Sequence, residues 1–302
     1  MKKVLVTGGL GFIGGHVMEE LASRGIYPVA FDRFMKAPEK HLIPNCEYEV
    51  FMGDIRDRNA VSTAVSMCDG AINLAGLLGT SEAVDNPFPA AEANILGGLN
   101  FLQACREHGK RGVQIAVGNH FENNTYSITK TTVERFAMMF NKEHGTKVAV
   151  VRGLNAYGER QKHAPIRKIT PNFVTRALRQ EAIMINGTGN SVMDMIYVKD
   201  LAKILVDALL SENTRFDKVY SAGPGVASTV NEIATVVNEI AENPTEPIHR
   251  EMRAGETDGA VVLGEPETLK DLYPEGFQFV DLKQGMANTI AWYKANYPWQ
   301  QD

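Results

Sequence analysis

At 302 residues the chain is long enough for two lobes around a large core. Apolar residues make up 44% and charged residues 22%, which excludes global disorder and coiled coil. Lys and Arg number 31 against 36 Asp and Glu, and the net charge of −5 offers no basic surplus for nucleic acid or an anionic membrane.

Met1-Lys2-Lys3 precedes only Val4-Leu5-Val6 before glycines begin, so no signal h-region is expected. No run approaches the ~18 apolar residues of a membrane span. Strands are expected at Val4–Val6, Val29–Phe31, Tyr48–Met52, Ala71–Ala75, Val113–Val117 and Val148–Val151. Most are apolar on both faces, as in a parallel sheet covered by helices. Ile95, Leu96, Leu99 and Leu102 fall at helical spacing, with Gly97 and Gly98 as weakening residues. Cys46, Cys68 and Cys105 are odd in number and fit no CxxC or zinc spacing. A reduced, cytoplasmic chain without a metal is expected. Val133, Phe136, Ala137 and Phe140 form a clean helical stripe. This strand–helix alternation predicts a doubly wound α/β sheet.

Past residue 153 the rhythm changes. Gly153–Pro171 is loop-rich and cationic. The pattern returns to the sheet at Met195–Val198, with a helix over Leu201–Leu210 that Asp200 is expected to N-cap. Thr229-Val230-Asn231-Glu232 reads as a capping box. Glu242–Pro274 reads as a loop-rich lobe, and a last helix runs about Gly285–Tyr297, stopped by Pro298. The expected division is 1–155, with 192–222 returning to it, and a second lobe from 156–191 and 223–302.

Thr7-Gly8-Gly9-Leu10-Gly11-Phe12-Ile13-Gly14 joins the first strand to the first helix. Gly8, Gly11 and Gly14 allow a tight turn, close approach to a pyrophosphate and close helix–strand packing. The helix N-terminus, at Phe12 and Ile13, supplies N–H groups for the anion. Asp32, 18 residues past Gly14, ends the second strand, where a carboxylate accepts bonds from an adenine ribose. It would repel a 2′-phosphate, so NAD is expected rather than NADP. Arg33 beside it is a mild counter-signal and is counted among the cofactor contacts.

Tyr126-Ser127-Ile128-Thr129-Lys130 places a phenol and an ammonium on one helix face at i and i+4. A phenol of pKa about 10 is a poor base at neutral pH, and a nearby ammonium and a cationic nicotinamide favour its phenolate. Tyr126 could then take a proton from a sugar hydroxyl.

With the glycine turn and this pair together, the chain resembles an extended short-chain dehydrogenase/reductase of the nucleotide-sugar epimerase/dehydratase kind. Gly53-Asp54-Ile55, Leu74-Ala75-Gly76, Asp85-Asn86-Pro87, Asn94-Ile95-Leu96-Gly97, Arg152–Gly158, Ile196–Asp200 and Arg253–Glu256 carry the likeness. The resemblance implies a Rossmann-type fold with a smaller, interleaved C-terminal substrate lobe. It implies NAD contacts from Asp54, Ile55, Leu74, Ala75, Gly76 and Asn94, beside those above, with Lys130 orienting the ribose. Asn155 would touch the sugar or phosphate, and Arg253 would grip a diphosphate. Thr80 and Asn172 are assigned to the substrate as well. A homodimer through the helices about Asn94–His108 and Ser127–Glu143 follows from the same resemblance, with Met138 and Met139 as candidate apolar surface.

Three departures stand out. Asn119 falls in the slot of the family's Ser/Thr, and the following loop is short and holds His120 and Glu122. Met193 replaces a common nucleotide-binding arginine. The expected chemistry is oxidation to a 4-keto sugar, most simply for 4-epimerisation. Dehydration or decarboxylation after the same oxidation is the alternative, with His120 and Glu122 as the acid and base. A dinucleotide-binding protein without turnover is the alternative from another class.

Overall fold

The computed structural model describes residues 1–33, 43, 46–162, 164, 166 and 168–296. In chain order the first part comprises β1 (Lys3–Thr7), α1 (Phe12–Ser23), β2 (Tyr27–Asp32), β3 (Glu49–Met52), α2 (Arg58–Ser66) and β4 (Gly70–Asn73). It continues with α3 (Phe88–Ala90), a π-helical stretch Ala91–Leu96, α4 (Gly97–Glu107), β5 (Arg111–Val117), α5 (Thr125–His144) and β6 (Val148–Gly153). Asp57 caps α2 by accepting from the N–H groups of Asn59 and Ala60. Gly145, at φ 65°, ends α5 in the left-handed region. Gly97 and Gly98 do not break their helix. A Cβ there would meet Ile55 at 2.7 Å and Val133 at 2.5 Å, so the glycines let the helix pack tightly on both neighbours.

The rest comprises β7 (Asn155–Tyr157), α6 (Ile169–Leu178), β8 (Met184–Asn186), β9 (Val192–Met193), β10 (Met195–Tyr197), α7 (Val198–Leu210) and β11 (Val219–Ala222). Then follow β12 (Ser228–Thr229), α8 (Val230–Ala241), β13 (Ile248–Arg250), β14 (Val261–Val262), a 3₁₀ turn Pro266–Asp271 and α9 (Leu282–Asn296). The expected stop at Pro298 lies outside the described residues. Among these helices none is long and apolar enough to cross a membrane.

Seven parallel strands form one sheet in the order β11-β6-β5-β4-β1-β2-β3. The chain winds outward in both directions from between β1 and β4. That switch point opens a crevice at the carboxyl ends of the strands. One face buries Val4, Val6, Met18 and Leu205 under α1 and α7; the other buries Leu5, Val29, Phe101 and Val133 under α2, α4 and α5. A separate core of Phe173, Ile185, Ile233 and Tyr293 holds the second lobe.

Two expectations are corrected. Met195–Tyr197 is a strand but does not rejoin the large sheet. The chain turns at Leu154, and β7 beyond that turn pairs in parallel with β10 as a two-stranded ribbon. Asp200 is not the N-cap of α7; Tyr197 is, and Asp200 lies in the first turn and accepts the Val280 N–H at 2.8 Å. The capping box of Thr229 and Glu232 is present as expected. Cys46, Cys68 and Cys105 are free thiols, and no group of three or more metal-binding side chains occurs among the described residues.

Candidate active site

The glycine turn lies at the switch point. Gly8 has φ 69°, and a Cβ there would press on the Ala75 backbone at 3.1 Å. A Cβ on Gly14 would sit 2.2 Å from the Gly8 carbonyl oxygen. Gly11 N-caps α1 with no side-chain cap, so the first N–H groups, including Phe12 and Ile13, are left for a ligand. Asp32 ends β2 facing the same turn, where its Oδ2 accepts the Leu10 N–H at 3.3 Å. Further out, the Arg56 guanidinium holds the Asp54 carboxyl below its usual range. Arg33 approaches the same carboxylate at 3.8 Å, and Ile55 is buried beneath.

Across the crevice, Leu74 and Ala75 leave β4 held by Thr7, through its carbonyl at 3.1 Å and its hydroxyl at 3.2 Å. Asn94 pins the next residues: it accepts the Leu77 N–H and donates to the Leu77 carbonyl and the Thr129 hydroxyl. A Cβ on Gly76 would lie 2.7 Å from the Asn94 oxygen and 3.4 Å from Lys130 Nζ. The Asn94 amide is thus occupied within the protein, and its part is to bring this loop against Lys130.

Asn124 caps α5 by accepting the Ser127 N–H at 2.9 Å, which starts the helix at Thr125, places Tyr126 in its first turn and sets Lys130 one turn on. Lys130 is 4% exposed and has no hydrogen-bond partner among the described residues. Burial pulls its pKa down to about 8. A buried ammonium without a partner is what an incoming ribose hydroxyl would satisfy. With the open turn of α1 and the glycine cradle, these residues fit a dinucleotide. Burial also pushes the Tyr126 phenol up to about 12. The cationic charge expected to favour its phenolate must offset that burial.

Tyr126 opens into a cleft of about 480 Å³ between the sheet and the second lobe. Asn119, Asn155, Asn172, Thr80 and Arg253 all line it, so the structure brings the expected substrate residues together. Arg253 is already paired with Glu256, which also accepts the Thr80 hydroxyl at 2.9 Å. Asn155 donates to the Asp194 carbonyl, and Asn172 to the Lys168 carbonyl. Met193 lines the wall where an arginine was missing, but the cleft is not short of cations: Lys168, Arg176 and Arg250 line it too. His120 does not line it; its Nδ1 lies 3.0 Å from the Gly118 carbonyl. Glu122 does, and accepts the Thr257 hydroxyl at 3.1 Å.

Sequence reasoning missed Lys168, which sits 5.9 Å from the Tyr126 ring centre, because no motif marks it. It also missed Glu134, 5% exposed, which takes both arms of the Arg152 guanidinium at 2.6 and 2.8 Å. That pair ties α5, and so Tyr126 and Lys130, to β6. Removing one partner of a buried pair leaves the other charge unpaired. Glu134→Ala should lower unfolding stability by about 3 kcal/mol in a urea titration, with Glu134→Gln milder. A loss below about 1 kcal/mol for the alanine variant, the range of an exposed pair, would show that the tie is weak.

The chain is similar over nearly its whole length to known enzymes. A UDP-glucose 4-epimerase of Thermotoga maritima, solved with UDP-glucose, is 25% identical with a TM-score of 0.87, covering 98% of this chain and 99% of that one. A Thermus thermophilus UDP-glucose 4-epimerase, solved with NAD, is 26% identical with a TM-score of 0.84, covering 97% and 99%. A UDP-N-acetyl-alpha-D-glucosaminuronate decarboxylase of Bacillus cytotoxicus is 25% identical, covering 97% of this chain and 98% of its own. The model of the NAD dependent epimerase/dehydratase family matches residues 4–223. With the glycine cradle, Asp32 and the Tyr126/Lys130 pair on one crevice, the chain belongs to the NAD-dependent epimerase/dehydratase family.

Proposed function

We propose that the protein is a cytoplasmic 4-epimerase of a nucleotide-diphosphate sugar. The observation that carries this is Tyr126: it lines the substrate cleft, Lys130 lies one turn behind it toward the cofactor crevice, and His120 does not reach the cleft. A dehydratase or decarboxylase of the kind first considered would need a second acid and base there, and only Glu122 remains of that pair. NAD, held by the glycine turn before α1, Asp32 and Lys130, would supply a hydride acceptor for C4 and the same hydride for its return. Tyr126 takes the C4 hydroxyl proton and gives it back. Lys130 holds the ribose and supplies positive charge near the phenol. Asn119, in the hydroxyl slot, can bond a sugar oxygen but cannot relay a proton. Asn155, Asn172, Thr80 and Arg253 position the sugar and its diphosphate. The test is product analysis with UDP-glucose, UDP-N-acetylglucosamine, UDP-glucuronate and dTDP-glucose. A 4-epimer supports the reading; a 4-keto-6-deoxy sugar or released CO₂ replaces it with the lyase alternative.

A homodimer belongs to the same proposal. Leu96, Ile128 and Met139 are exposed on the helices concerned, whereas Met138 packs against the core. Light scattering at micromolar concentration should give twice the chain mass, and a monomer mass would overturn this part.

A further inference from the structure

Lys168 stands just ahead of α6, half-buried in the cleft wall, with its Nζ 5.9 Å from the centre of the Tyr126 ring. No hydrogen bond or ion pair joins that ammonium to another described residue. Burial works against its charge, which Glu82 and Glu256 favour through space and Arg253 opposes. Glu256 is taken up by Arg253 and Thr80. A half-enclosed charge left without a partner is costly unless a ligand brings the counter-ion. Tyr126 fixes where the sugar sits, because its oxygen must reach the C4 hydroxyl. An ammonium beside that ring therefore faces the sugar, and C6 is separated from C4 only by C5. Of the other cations lining the cleft, Arg253 is held by Glu256 and Arg176 by Glu181, and Arg250, with no ion pair among the described residues, remains for a diphosphate.

We propose that the sugar carries a carboxylate at C6, a nucleotide-diphosphate uronate, and that Lys168 is the residue that recognises it. This rests on the reading of Tyr126 as the group that addresses C4. One ammonium on one carboxylate is a charge-assisted hydrogen bond, and losing it should cost about tenfold to a hundredfold in affinity.

The test is calorimetry on NAD-loaded protein in a Tyr126→Phe background, which prevents turnover, with UDP, UDP-glucose and UDP-glucuronate. The parent should bind UDP-glucuronate at least tenfold more tightly than UDP-glucose. Lys168→Met should erase that preference and leave UDP unchanged, while Lys168→Arg should keep most of it. Equal affinity of the parent for the two sugars overturns the proposal. So does a Lys168→Met variant that loses UDP as much as UDP-glucuronate, since Lys168 would then serve the diphosphate. Product analysis of the Tyr126-intact enzyme separates the two claims. A selective uronate site without 4-epimer formation sinks the epimerase and leaves the carboxylate site. Epimerisation of UDP-glucose without uronate preference does the reverse.

Discussion

Tyr126→Phe should lower kcat by about a thousandfold or more, the loss of a positioned acid/base group, while NAD binding changes little. The ring stays, so the wall of the cleft and the start of α5 stay with it. Only the hydroxyl goes. Burial alone works against this hydroxyl, pushing the phenol up to about 12. The site must supply positive charge to bring it back toward neutral pH, and Lys130 is placed one helical turn away to do so. Lys130→Met should therefore move the acidic limb of the kcat/KM profile to higher pH, because removing a cation raises the pKa of the base. Activity in Tyr126→Phe within tenfold of the parent would rule out Tyr126 as the base. A dinucleotide-binding protein without turnover would show no activity in either form.

Gly14→Ala should abolish NAD binding in an isothermal titration and lower the melting temperature as well. Its new Cβ would lie 2.2 Å from the Gly8 carbonyl oxygen and 2.8 Å from the Gly9 Cα. Both are backbone atoms of the turn, so the turn itself must move, and the N-terminus of α1 moves with it. Gly25→Ala is the control. Gly25 has a left-handed φ of 70°, and nothing lies within 4 Å of its Cβ position. It should cost about 1 kcal/mol of strain and leave NAD binding intact. Equal loss of NAD binding in both variants would show that general destabilisation, not the cradle, is responsible.

Local chemistry with a fixed spacing was legible from the sequence. The glycine turn, Asp32, the Tyr126/Lys130 pair and the capping box at Thr229 each depend on residues a few positions apart, and each lies where the spacing puts it. The sheet was legible as well, since parallel strands buried on both faces read as short apolar runs. What was not legible depends on distant pairings. Gly97 and Gly98 look like helix breakers until Ile55 and Val133 are seen to press on them. Asp200 looks like a cap until Val280, 80 residues on, presents its N–H. Lys168 and Glu134 carry no pattern of their own; they matter through Tyr126 and Arg152. Arg253 was read as a free grip for a diphosphate, but Glu256, three residues on, already holds it.

Strand β11 has a consequence for how this chain can be divided. It comes from after residue 218 yet lies beside β6 as the outermost strand of the large sheet. Val148, Ala149, Val150 and Val151 of β6 are fully buried beneath the flanking helices. A fragment ending at Gly153 keeps the glycine turn, Asp32 and the tyrosine helix, and so looks like a self-sufficient cofactor module. It would nevertheless leave β6 as a bare, apolar edge, and α7, which covers that side of the sheet, would be gone. Such an edge pairs with its like. Trimming the chain to a minimal cofactor binder of residues 1–153 should therefore give a self-associating fragment rather than a smaller enzyme, visible as a multimer mass in light scattering.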